Sequence, residues 1–504
     1  MGLRVRRPFR PGLILALLTL VGAVVRVGGL TAQSFWLDEY LWTQNSTGSV
    51  GDIFRLADGY PPLFGIIVHG MMQAGLGSDW WLRLPSAIAG VLTVPLTYAV
   101  ARRVGGRAPA LAATALMAVN PMAVWYSQEC GAYALFMLVA LASTWCFLRL
   151  LGGGARGAAW GYAVTVCLGF GLHYYFTFVV AAQGLVALWD VARHPERRRL
   201  WLAMGVAAIM GFLVWGQAFL YDVASQSAED SQRATSILAL PYTVLTFVGG
   251  FSLGPPLRQL HHAVYSEGPL WSVLAPYSTI TVCAVGVTAV LALIACGRRL
   301  TPTRLLTALL VLAPVLGAWA ASLALVGYRP RYAVAALPLA AIWCASALGT
   351  RLRPVAGVLL IGLASLQLLA LRQIDDADYA REDTRGAAAY VGAHDPAATV
   401  VLVGDAADAF ERYAGSARTV AIMPNEANDP DRLRERVDSV LKDRHEVWLL
   451  SARPWTTDRH DHVRSLLETR FAAREELHFA GVSLRRYVDA PIVAVREDTS
   501  PARP

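Results

Sequence analysis

Stretches of apolar residues long enough to cross a bilayer recur from residue 12 to residue 373, and this constrains the chain more than any motif does. A crossing helix needs about 20 such residues, because the hydrocarbon layer is about 30 Å thick and a helix rises about 1.5 Å per residue. Composition agrees: of 504 residues 55% are hydrophobic and 16% charged, whereas soluble domains carry charge on about a quarter of positions. A water-soluble fold is excluded. From Ile374 onward the texture becomes that of a soluble domain. The net charge of +8 comes from arginine, since Lys442 is the only lysine. The arginines gather in short clusters between apolar spans, which speaks of membrane topology and not of a nucleic-acid partner. The six cysteines, Cys130, Cys146, Cys167, Cys283, Cys296 and Cys344, form no CxxC pair. They offer neither a disulfide framework nor a zinc site.

Arginine clusters fall between Arg4 and Arg10, at Arg102/Arg103/Arg107, at Arg149/Arg156, from Arg193 to Arg199, at Arg298/Arg299/Arg304 and at Arg351/Arg353. Cytoplasmic loops concentrate such residues. Putting every cluster on that side pairs the spans and gives helices near 12–31, 84–103, 108–125, 131–150, 158–172, 174–190, 200–220, 271–296, 305–326, 332–349 and 354–373. The first is read as an uncleaved helix, because Gly28–Ser34 is a poor signal-peptide cleavage site. The expected architecture is a polytopic α-helical protein of a cell membrane, inner or plasma, with about 11 transmembrane helices over residues 1–373 and a cytoplasmic N-terminus. The short stretch Pro61–Leu76 opens with two prolines and is expected to be an interfacial or re-entrant helix on the outer side. The loops 32–83, 126–130, 221–270 and 327–331, together with the turn at His173, then share the outer face.

Residues 374–490 alternate helical patterns (Tyr379–Gly392, Ala406–Tyr413, Asp429–Lys442, Asp458–Thr469) with strand-like runs (Thr399–Val403, Glu446–Leu450, Val482–Tyr487). This predicts a small α/β domain outside the membrane. Residues 491–504 read as a disordered tail. The domain has no glycine-rich phosphate loop and no nucleophile motif, so acceptor binding or packing on the outer loops is its expected task.

The outer loops hold the residues with chemistry. Just past the first helix, Phe35-Trp36-Leu37-Asp38-Glu39-Tyr40 sets two carboxylates among aromatics that mark the headgroup level. Asp38 can take a proton from an acceptor hydroxyl, with Glu39 holding the acceptor or a metal. Arg329 and Arg331, in Tyr328-Arg329-Pro330-Arg331-Tyr332, offend the preference for positive charge inside. A guanidinium there matches the oxygens of a lipid phosphate. Arg26, near the outer end of the first helix, is a candidate of the same kind. Asp38, Glu129 and His173 have the donor chemistry of an oxygen/nitrogen metal site, although nothing in the sequence requires a metal.

Further motifs are Tyr60-Pro61-Pro62-Leu63, Trp80-Trp81-Leu82-Arg83-Leu84-Pro85-Ser86, Tyr126-Ser127-Gln128-Glu129 and Arg331-Tyr332 with Pro338. With Asp38/Glu39, this ordered set over residues 10–375 resembles glycosyltransferase family 39, the protein O-mannosyltransferase, aminoarabinose transferase and Rgt-like enzymes of the GT-C superfamily. The resemblance implies a membrane enzyme that moves a hexose or pentose from a polyprenyl-phosphate carrier to a hydroxyl of a glycan, lipid or protein, inverting the anomeric carbon. It also implies that Tyr60, Arg83, Gln128, Glu129, His173 and Tyr332 line the substrates. The loop Gly254–His262 resembles a stretch of some members, which makes Arg258 a substrate-binding candidate on a lid. The chain departs from the family pattern at Tyr60, where relatives often have His or Lys, and at Gly131, where many have Arg. Two other classes stay open. A flippase for lipid-linked sugars would show mid-membrane charges and internal repeats, and neither is found. A non-catalytic assembly protein would keep its activity when the acidic pair is mutated.

Overall fold

The structure is a computed structural model that describes residues 11–55, 60–154, 156–225, 236–266, 268–297, 301–323, 327–442 and 444–489. The N-terminal arginine cluster, Arg298/Arg299, part of the expected lid loop and the expected tail lie outside these residues. Two compact units are present. One comprises Met1–Gln33, Leu41–Val264 and Pro269–Tyr379; the other comprises Ser34–Tyr40, Tyr265–Gly268 and Ala380–Pro504.

The first unit is helical. Among the described residues, eight helices are long and apolar enough to cross a membrane: Asp79–Val104, Tyr133–Leu151, Phe176–Arg193, Pro195–Leu220, Leu270–Cys296, Pro302–Ala321, Pro330–Gly349 and Arg353–Gln373. Arg107–Ala118 and Pro121–Ser127 add a ninth if the pair, bent by 54°, is one span. Two of the eleven expected spans are the 17-residue helices Pro11–Val27 and Arg156–Leu172. At about 1.5 Å per residue each reaches roughly 25 Å, short of the hydrocarbon layer. Leu63–Gln73, with 11 residues, is shorter still. Large apolar side chains such as Trp160, Val282 and Val358 are exposed on these helices, as a lipid-facing surface requires.

The bend has a local cause. Pro121 lacks the amide that would continue the preceding helix, and the Asn120 side chain instead accepts a bond from the Ala123 amide at 2.9 Å. The carbonyls left at the end of Arg107–Ala118 are met by Arg26, which donates to Met117 and Ala118 at 2.8 Å each and to Gly22 at 3.0 Å. Arg26 is fully buried. It braces the break between two helices, and this corrects its reading as a lipid-phosphate ligand. Gly90 lets the helix Asp79–Val104 approach Ser127, since an added Cβ would lie 1.9 Å from the Ser127 hydroxyl.

The second unit is built on a five-stranded sheet of order β2-β1-β3-β5-β4, with β1 at Thr399–Val403, β2 at Arg418–Ala421, β3 at Glu446–Ser451, β4 at Phe471–Phe479 and β5 at Val482–Asp489. β1 runs parallel to β2 and β3, while β5 is antiparallel to β3 and β4. Alternation along β1 and β3 fills both faces. Val401, Val403, Val447 and Leu449 pack with Leu433, Val437 and Leu467; Val400, Leu402, Trp448 and Leu450 pack with Ala387, Val391 and Phe410.

Candidate functional site

In the helical unit the structure gathers a buried cage around His173, in the turn between Arg156–Leu172 and Phe176–Arg193. The His173 ring stacks on Phe136 at 4.9 Å and Tyr175 at 5.2 Å between centroids, and meets Tyr133, Tyr332 and Tyr60 at 5.7, 5.9 and 6.3 Å. Arg331 lies over the Tyr133 ring at 5.4 Å and donates from Nη2 to the Tyr60 hydroxyl at 3.4 Å. The Tyr60 and Tyr133 hydroxyls are bonded at 3.1 Å. His173, Arg331, Tyr133 and Tyr332 are all buried.

The proton on His173 can be placed. Its Nδ1 accepts the Tyr175 amide at 3.2 Å, so the hydrogen of the neutral ring sits on Nε2. Nε2 is buried without a hydrogen-bond partner. Burial, and then the charge of Arg331, hold the imidazole down to about 3, so it is a neutral donor at physiological pH. The cage thus combines a fixed guanidinium, an imidazole N–H and tyrosine hydroxyls. Such a set stabilises an oxyanion.

The Tyr60 hydroxyl meets the cation of Arg331. Tyr133 and Tyr175 were not expected as site residues. Their signals lay in the sequence, seven residues beyond Tyr126 and two beyond His173, but aromatic residues in apolar spans ordinarily denote core.

Other candidates fall elsewhere. The buried Arg83 donates to the Leu30 and Gln33 carbonyls at 2.8 and 2.9 Å, which ties down the segment after the first helix. Gln128 is likewise turned to a carbonyl, that of Val25 at 3.0 Å. Glu129 is buried, and its carboxylate occupies the space of a side chain at position 131, where a Cβ would lie 2.6 Å from Oε1. Arg258 donates to the Ala377 and Asp378 carbonyls. The stretch 249–256 preceding it is buried, and Ser252 bonds the Ala370 carbonyl at 2.7 Å. Arg329 is half-buried and caps Pro330–Ala336.

The acidic pair lies in the second unit and not on a bare loop. Asp38 and Glu39 occupy the first turn of Leu37–Asn45, where the helix dipole favours carboxylates. Glu39 accepts the Trp36 amide at 3.4 Å, as the acid of a capping box does. It also pairs with Arg381 at 3.6 Å, both side chains being buried. Its carboxylate is therefore engaged with Arg381 and the Trp36 amide. Among the described residues, no group of three or more His, Cys, Asp or Glu suits a metal ion. The set Asp38, Glu129 and His173 is not such a group.

Comparison with known proteins adds to this geometry. Residues 60–221 match the family model described as dolichyl-phosphate-mannose-protein mannosyltransferase. No curated protein sequence matches the chain. Among solved structures, ArnT from Cupriavidus metallidurans bound to undecaprenyl phosphate superposes with a TM-score of 0.58 at 13% identity, over 94% of this chain and 97% of that one. Its apo form gives 0.57, with the same identity and coverage. AglB, an archaeal oligosaccharyltransferase from Archaeoglobus fulgidus in complex with an inhibitory peptide and a dolichol-phosphate, gives 0.50 at 13% identity, over 96% of this chain and 74% of that one. At such identities the likeness is one of fold. The fold is thus that of these membrane proteins, in keeping with the helices long and apolar enough to cross a bilayer.

Proposed function

We propose that the chain transfers a sugar from a polyprenyl-phosphate donor to a hydroxyl acceptor on the extracytoplasmic face of the membrane. One observation carries this reading, the buried cage of Arg331, the His173 N–H and the Tyr60 and Tyr133 hydroxyls. A phosphate on a lipid arrives from apolar surroundings, and there a fixed cation with fixed donors stabilises charge without reorganising. Undecaprenyl phosphate in ArnT and dolichol-phosphate in AglB are ligands of this chemistry. In the reaction, the acceptor oxygen attacks the anomeric carbon, the bond from that carbon to the phosphate oxygen breaks, and the acceptor proton passes to Asp38. The polyprenyl phosphate leaves with its negative charge against Arg331 and His173. The eleven-span topology, with residue 404 outside, belongs to the same reading.

Transfer and donor binding by the purified protein in nanodiscs test it. A charge-assisted bond contributes about 1.5–3 kcal/mol, so Arg331→Ala should weaken donor binding roughly tenfold or more, while Arg351→Ala leaves it unchanged. Positioned base catalysis contributes about 10²–10⁴-fold, so Asp38→Asn should lose most turnover and keep donor binding. Equal effects of the two arginine substitutions, or near-normal transfer by Asp38→Asn, would refute the respective assignment.

A further inference from the structure

The acidic-pair segment is stitched to the far end of the chain. The Ser34 hydroxyl donates to Asp383 at 2.7 Å, and the Phe35 amide donates to the Tyr413 hydroxyl at 2.9 Å. Arg412 lies over the Phe35 ring at 4.2 Å, and the Tyr40 hydroxyl donates to Glu411. Glu39 pairs with Arg381. The contacts come from both sides, from the residues leading into Thr384–His394 and from the end of Asp405–Arg412.

Between these sides stands Arg453, on the loop after β3. Its guanidinium donates to Glu382 at 2.8 Å and lies 5.9 Å from the Trp36 ring centroid. Its backbone has φ 54°, a left-handed conformation that strains any residue with a Cβ. The reason is the neighbouring loop. β1 and β3 are adjacent and parallel, so the loops after them emerge side by side, and Gly404 (φ 95°) sits so close that a Cβ there would meet the Ala452 carbonyl oxygen at 2.0 Å and Arg453 at 2.7 Å. The carboxyl ends of parallel strands are where α/β folds present functional groups. Here they present Arg453 and Arg412 among carboxylates. Burial works against the Arg453 charge, yet Glu382, Asp405 and Asp38 together hold it above its ordinary value.

We propose that Arg453, with Arg381, is a positioning residue for the transfer reaction: the C-terminal α/β unit seats the segment 34–40 that carries Asp38, through Arg381 on Glu39 and through Arg453 beside Trp36 and bonded to Glu382. This rests on the reading of Asp38 as the base. The charged groups of the cluster are Asp38 and Glu39 on the segment, Arg381, Glu382 and Asp383 ahead of Thr384–His394, Asp405, Asp408, Glu411 and Arg412 on Asp405–Arg412, and Arg453 after β3. Carboxylates outnumber the arginines. Loss of Arg453 removes one positive charge that interacts with Asp38, which raises the affinity of that carboxyl for a proton.

Arg453→Gly tests the idea without disturbing the backbone, since glycine adopts the left-handed conformation freely. The full-length protein in nanodiscs is assayed for transfer across pH, for donor binding and for thermal melting. Arg453→Gly is expected to lower kcat at least tenfold, to leave donor Kd within twofold, and to move the acidic limb of the rate profile to higher pH; Arg453→Lys restores part of both. Wild-type kcat in Arg453→Gly, with Asp38→Asn inactive, overturns the proposal and spares the base. Normal transfer by Asp38→Asn overturns the base assignment and the proposal with it. A loss of melting temperature and donor binding together, with the acidic limb unmoved in Arg453→Gly and Arg453→Lys alike, reduces Arg453 to a folding role and also overturns the proposal.

Discussion

Replacing His173 by phenylalanine separates a ligand from a packing residue. Phenylalanine keeps a flat ring among Phe136, Tyr133 and Tyr175, and removes two polar functions. One is the Nδ1 that accepts the Tyr175 amide at 3.2 Å, worth about 1 kcal/mol. The other is the buried Nε2–H that has no partner, a donor whose desolvation costs about 1–3 kcal/mol. These oppose each other, so the empty protein should melt within a few degrees of wild type. With a phosphate in the cage the balance changes. A hydrogen bond to a charged acceptor contributes about 1.5–3 kcal/mol, and about 1.4 kcal/mol is tenfold in affinity, so donor binding should weaken roughly 10- to 100-fold. Because burial and Arg331 hold the imidazole down to about 3, it remains neutral through the neutral range. Donor affinity should therefore show no step there that His173→Phe abolishes. The assay is titration of polyprenyl phosphate into nanodisc-embedded protein, with melting followed in parallel. A Kd within twofold of wild type, together with a lowered melting temperature, would refute the reasoning and leave His173 a core residue.

Arg26→Met should cost about 1–3 kcal/mol of stability, because the Met117 and Ala118 carbonyls lose their donors, with donor affinity unchanged; weakened donor binding at normal melting would restore Arg26 as a ligand. Burial first, then Glu411 and Asp405, raise the Asp408 carboxyl to about 6. A carboxyl raised in this way binds its proton more tightly in the folded chain, so its contribution to stability is greatest in acid and falls as pH rises from about 4 through about 6. Asp408→Asn should therefore raise stability at neutral pH by roughly 1–2 kcal/mol, allowing for partial exposure, and change nothing near pH 4; melting at the two pH values decides, and equal effects at both would disprove the electrostatic cause. A periplasm-active reporter fused after Gly404 should be active, whereas activity of a cytoplasmic reporter alone would overturn the topology.

The sequence shows long spans plainly because apolar runs and arginine clusters are local signals. The break at Asn120-Pro121 was readable too, yet the apolar run across it reads as one helix. Arg26 and Arg83 could not be resolved from sequence, since their partners are backbone carbonyls far along the chain, and a carbonyl leaves no mark on residue identity. The strands β1, β3 and β5 stand out as β-branched or apolar runs, while β2 (Arg-Thr-Val-Ala) and the charge-rich β4 do not. His173 and Arg331 were visible as polar residues out of place. Their convergence on Tyr60, Tyr133 and Tyr175 is tertiary. The same holds for Glu39, whose counter-ion Arg381 sits in a stretch with no motif.

The seat of the acidic pair also fixes an order of assembly. Ser34 and Asp383 are separated by 349 residues, and Glu39 emerges from the ribosome long before Arg381 exists. Every membrane span must be laid down while that buried carboxylate still lacks its counter-ion. Active protein therefore forms only at the end of synthesis, when the last domain closes on a segment made near the beginning. A chain stopped at about residue 375 would insert its helices and accumulate in the membrane, with the proposed base on an unseated segment.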